Sequence, residues 1–80
     1  MLISYDPVAQ SAYIKLDHKS KVARTVRVSD DMLADLNTRG RLIGVELLHP
    51  ASANLRLIAS RFHCPELSKI HPRKLQAVFA

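Results

Sequence analysis

The soft metal-ligand types in this 80-residue sequence include His49, His63, Cys64 and His71. A structural zinc site takes four such groups in a tetrahedron, from segments whose spacing lets them converge. Here His63 and Cys64 are adjacent, so they diverge on a helix or a strand, and no CxxC or HxxxH spacing exists. The pattern fits a small buried thiol beside solvated histidines, and no metal or cofactor is expected. Cys64 also precedes Pro65, and a helix starting there would lower the thiol pKa toward that of a nucleophile. A catalytic cysteine needs a pocket and an oxyanion site as well, and a chain this short leaves little wall for one. Asp30 and Asp31 are adjacent carboxylates in a turn, where such pairs cap and solvate more often than they share a proton. The expectation is a protein that is not an enzyme.

The remaining chemistry is basic. Residues 1–52 carry seven Lys and Arg against six acids, while residues 53–80 carry Arg56, Arg61, Lys69, Arg73 and Lys74 against Glu66 alone. The net charge of +5 therefore divides as +1 and +4, and the basicity belongs to the tail. Arg56, Arg61, Arg73 and Lys74 could contact phosphates, each contact adding a salt-dependent increment to affinity. Against that, the aromatic residues are only Tyr5, Tyr13, Phe62 and Phe79. Tyr13 alone is placed to stack on a base, and Asp35 and Glu46 are expected to pair across strands with Lys15 and Arg27.

These groups must be positioned by a small scaffold. A chain of this length buries only about 60% of its unfolded surface. A single cysteine allows no intrachain disulfide and suits a reducing cytoplasm. No apolar run approaches the ~18 residues that span a bilayer. The first half shows the two-residue period of strands: Leu2 to Tyr5, then Ala12, Ile14 and Leu16, then Val22, Val26 and Val28 with Arg24 on the same parity, then Met32 to Leu36. Asn37-Thr38-Arg39-Gly40 closes a hairpin, with Gly40 in a left-handed position, and Ile43, Val45 and Leu47 share a face of the last strand. From Ser52, a good N-cap, the period becomes helical through Leu55, Ile58, Ala59 and Phe62. Pro65 and Pro72 each suit the first turn of a further short helix; Leu75 to Ala80 reads equally as an edge strand.

Tyr5-Asp6-Pro7, Ala12-Tyr13-Ile14-Lys15-Leu16, Arg24-Thr25-Val26-Arg27-Val28, Asp35-Leu36 and Gly40-Arg41-Leu42-Ile43-Gly44-Val45-Glu46-Leu47-Leu48 together resemble the prokaryotic domain-of-unknown-function family 2283, over about residues 1–52. The resemblance implies a mostly antiparallel β domain with no established activity and no catalytic residues to carry over. It also implies genes in small operons, sometimes beside toxin-like partners, and hence a binding role. The turn before Gly40 departs from the family in being less acidic, and the tail is longer and more basic.

The sequence thus predicts a single α+β domain over residues 1–80. An antiparallel meander of four or five strands over 1–48 is followed by a helical basic tail over 52–80, packed on the sheet. The tail holds more apolar residues than one helix needs to cover such a sheet. Leu75, Val78 and Phe79 are therefore the expected protein-binding contact, the alternative being a second layer that wraps the chain's own sheet. The expected function is a cytoplasmic protein-binding module, forming a homodimer or higher oligomer or pairing with a cognate bacterial protein in an antitoxin-like or inhibitor-like role. The alternative is a small nucleic-acid-binding protein using Arg56, Arg61, Arg73 and Lys74.

Overall fold

The computed structural model describes residues 1–70. Five strands come first: β1 (Leu2–Asp6), β2 (Ser11–Lys15), β3 (Arg24–Ser29), β4 (Met32–Leu36) and β5 (Leu42–Leu47). A 3-10 turn at Pro50–Ser52, helix α1 (Leu55–Arg61) and a second 3-10 turn at Pro65–Lys69 follow. The fold is the α+β arrangement that the sequence predicts.

Each turn is closed by a side chain suited to it. Asp6 Oδ1 accepts the amides of Val8 and Ala9, folding the β1–β2 hairpin. Asn37 Oδ1 accepts the amides of Arg39 and Arg41 at 2.9 and 3.0 Å, and Gly40 takes φ +78°, as the hairpin between β4 and β5 requires. Asp30 and Asp31 serve the β3–β4 turn: Ser29 Oγ donates to Asp31 Oδ1, and the Arg27 guanidinium donates to the Asp30 carbonyl.

The sheet is antiparallel throughout, in the order β1-β2-β5-β4-β3. Two runs of sequential neighbours, β1–β2 and β3–β4–β5, join where β5 pairs with β2. The chain leaves β2 and crosses the end of the sheet through residues 16–23 to reach the far edge. That crossing spans three strand spacings, about 14 Å. A bulge helps to turn it: Ile43 is the extra residue of β5 opposite β4, and its carbonyl accepts the amides of both Leu16 and Asp17.

The alternation of the strands puts their apolar residues on one face. Ile3, Ile14, Val45, Ala34 and Val26 form a row across all five strands, with Tyr5, Ala12, Leu47 and Met32 in the next. The central members are fully buried, and the edge residues Ile3, Tyr5 and Val26 are half-buried. Leu55, Ile58, Ala59 and Leu67 cover this face. Arg24 lies on the exposed edge strand β3, opposite Leu36, and β3 begins there rather than at Val22, which is exposed.

The helix starts later than its periodicity predicts. Pro50–Ser52 forms its own 3-10 turn, Ala53 returns to extended backbone, and the N-cap of α1 is Asn54, whose side chain accepts the Leu57 amide. Ser52 instead donates to the His49 carbonyl. Leu55 and Ile58 anchor α1 as expected, while Phe62, just past its last turn, is half-buried. Beyond it, Leu67 is fully buried and Ile70 packs against the same core. As far as residue 70, Leu55, Ile58, Leu67 and Ile70 form a second layer on their own sheet, while Leu57 stays exposed.

Candidate functional site

Three segments meet at the end of the sheet where β2 leaves and β5 begins: the β2–β3 crossing loop, the β4–β5 turn and the bend after α1. Between them lies an open groove of about 1000 Å³. Leu16, Leu42 and Phe62 supply its apolar lining, and Lys21, Arg39 and Arg41 its cations.

The carboxylates in the walls are already engaged. Asp17 Oδ1 accepts the amides of Lys19 and Ser20, and its Oδ2 accepts the Ser20 hydroxyl at 2.7 Å. The Ser20 hydroxyl first, then the two amides, hold the Asp17 carboxyl down at about 2, with Arg41 adding a smaller pull. Glu66 takes the Cys64 thiol at 3.5 Å. Among the described residues, the side chains of Lys21, Arg39 and Arg41 make no hydrogen bond or ion pair.

The bend at the end of α1 is a Schellman closure. The Cys64 amide donates to the Ala59 carbonyl and the His63 amide to the Ser60 carbonyl. His63 takes the left-handed residue of that closure, at φ +53°, where glycine is usual. Its side chain is exposed at the lip of the groove. The sequence holds no signal for this closure, because the residue type that announces it is absent.

Cys64 is not activated by the turn that follows it. Partial burial pushes its thiol pKa up, and the Glu66 carboxylate pushes it further by accepting a hydrogen bond from the thiol and by repelling a thiolate. These outweigh the amides of Glu66 and Leu67, which favour the thiolate. Among the described residues, no three His, Cys, Asp or Glu side chains group as metal ligands; His71 lies outside the described residues.

The face of the sheet away from α1 is polar and holds a hydrogen-bond chain. Tyr13 Oη donates to Asp35 Oδ2 at 2.7 Å, and Thr25 Oγ1 donates to Asp35 Oδ1 at 2.5 Å. The Tyr13 ring reaches Asp35 by lying across Gly44, where a Cβ would collide with Oη and Cζ. Burial, then the Asp35 hydrogen bond and the charges of Asp35 and Glu46, hold the phenol far above its ordinary pKa. Tyr13 is therefore tied to the sheet rather than free to stack on a base. Asp35 takes two hydroxyls in place of the expected cross-strand cation, and Arg27 turns instead to the carbonyls of Ser29 and Asp30.

The predicted binding residues are scattered. Arg56 and Arg61 are exposed on α1, with the Arg61 guanidinium 5.6 Å from the Phe62 ring centroid. Neither lines the groove. Leu75, Val78, Phe79, Arg73 and Lys74 lie outside the described residues. No helix among the described residues is long and apolar enough to cross a membrane.

Comparison with curated proteins and with solved structures gives no match. The family model described as a protein of unknown function, DUF2283, matches residues 2–49, a span that takes in all five strands, and the chain belongs to that family.

Proposed function

We infer that this protein is a protein-binding module that self-associates through the outer edge of β1. The observation that carries the reading is the contrast between the two edges of the sheet. The β3 edge is blunted in the ways that oppose pairing: it carries Arg24 and Arg27 and a bulge between Arg27 and Ser29. The β1 edge keeps an unbroken register with β2 from Leu2 to Asp6, and it contains no lysine, arginine or proline. Met1 and Leu2 are 62% and 57% exposed beside it.

A two-fold axis at Ser4 would pair β1 with its copy, Ile3 against the copy's Tyr5, and continue the sheet across both chains. Ile3 is half-buried at the rim of the core, and such a pairing would complete its burial. In the strand order of the sheet β1 stands at the end, next to β2. A cytoplasmic setting and a heterologous partner using the same edge, such as a cognate bacterial protein, are compatible extensions of this reading.

The test is mass by light scattering in line with gel filtration, for the native chain and for Ser4→Lys. The exposed Ser4 side chain would meet its own copy across the axis, so the substitution places two ammonium groups together there. A dimer that becomes a monomer with an unchanged circular dichroism spectrum supports the reading. A native monomer, or a dimer indifferent to Ser4→Lys, refutes the edge.

A further inference from the structure

We propose that the groove at the end of the sheet binds an acidic, partly apolar peptide segment of another protein through Lys21, Arg39 and Arg41. This goes beyond pairing at β1, since it uses no residue of that strand. Three observations carry it. Among the described residues the groove's cations make no hydrogen bond or ion pair, Arg41 acting on Asp17 only through its charge, while the groove's carboxylates already accept hydrogen bonds within their own loops. Its apolar lining of Leu16, Leu42 and Phe62 lies among those cations, so a ligand that alternates carboxylates with apolar side chains matches both. Its lip carries His63 in a backbone conformation that glycine would hold with less strain, which places one more exposed hydrogen-bond donor there.

The same observations disfavour nucleic acid as the occupant. A phosphodiester chain repeats its charge at every step, and here Asp17 and Glu66 stand among the three cations. Stacking platforms are short as well: Phe62 already faces Arg61, and Tyr13 is bound to Asp35. A peptide leaves uncharged backbone between its carboxylates and tolerates those two acids. In this chain's own run of acidic and apolar residues, Asp30 to Leu36, Met32–Leu36 is committed to the sheet as β4 and Asp31 accepts the Ser29 hydroxyl in the turn before it. The occupant is therefore another protein rather than a second copy.

The experiment is fluorescence anisotropy on the full chain with a short fluorescein-labelled peptide alternating glutamate with leucine. A lysine–leucine peptide and an oligothymidylate serve as comparisons, at about 0.05 to 0.5 M salt. Saturable binding of the glutamate peptide is expected, weakening as salt rises. Combining Arg39→Ala with Arg41→Ala should weaken it about five- to tenfold. Both residues are exposed, so the fold should persist by circular dichroism. Ser4→Lys should leave binding unchanged, which separates this result from the fate of the β1 edge. No saturable binding, binding indifferent to Arg39, Arg41 and Lys21, or tighter binding of the oligothymidylate that depends on them would each overturn the proposal.

Discussion

Gly44 lies on the central strand between Lys15 and Asp35, and the phenol of Tyr13 occupies the space its Cβ would take. Gly44→Ala therefore has to expel the ring and break the Tyr13–Asp35 hydrogen bond, at a cost of about 1–2 kcal/mol. In a Tyr13→Ala background the collision is gone, and the same change should cost close to nothing. Urea midpoints for the four proteins of that cycle should give a coupling of roughly 1 kcal/mol; additive costs would show that the ring does not hold Gly44. Tyr13→Phe alone should cost about 1 kcal/mol, because it leaves Asp35 with one hydroxyl donor fewer. Its pH dependence follows from the raised folded pKa. Below about pH 10 the phenol is neutral in both states and its contribution is complete. As the pH rises further, the unfolded phenol ionises first and stability falls. The gap between native protein and Tyr13→Phe should therefore narrow only above about pH 10; a gap that stays constant into stronger alkali would contradict the shift.

At the scale of elements, the two ends of α1 make opposite predictions. At the start, Asn54 caps the Leu57 amide, so Asn54→Ala should cost about 1 kcal/mol while Ser52→Ala costs little. At the end, His63 fills the left-handed residue of the Schellman closure. His63→Gly should raise stability by roughly 0.5–1 kcal/mol, read as a higher thermal midpoint. A lower midpoint would mean that the imidazole contributes a contact worth more than the backbone strain. These two ends also mark where the sequence was legible. The strands were readable because their partners impose a strict two-residue alternation, and the β4–β5 turn because Asn37 and Gly40 are the residues such turns require. The N-cap was misplaced because Ser52 and Asn54 both suit a cap, and only the extended Ala53 between them decides. The groove was not legible at all. Its walls come from three distant segments, and the bend that closes it uses a histidine where sequence reasoning looks for glycine.

For the whole molecule, the decisive segment is the loop that carries the chain from β2 to the far edge of the sheet. The β1–β2 hairpin and the β3–β4–β5 run are each local in sequence. They become one sheet through the pairing of β5 with β2 and through this single crossing. Asp17 secures its start with three hydrogen bonds, next to the point where the Ile43 carbonyl takes the amides of Leu16 and Asp17. All three bonds to the side chain favour the carboxylate. Asp17 accordingly titrates at about 2 in the folded chain, against 3.8 when unperturbed. A carboxyl with a lowered folded pKa stabilises the fold above its unfolded pKa and loses that contribution as the pH falls toward the folded one. The window is therefore about pH 5 to 2, and neutral pH lies on the plateau. Asp17→Asn removes the titration while keeping one acceptor oxygen. The native chain should exceed Asp17→Asn in urea midpoint by a constant margin from neutrality to about pH 5, and that margin should shrink steadily below it. A margin that stays level into the acid range would mean that the carboxylate is not what fastens the crossing, and that the bulge at Ile43 holds the two parts of the sheet together without it.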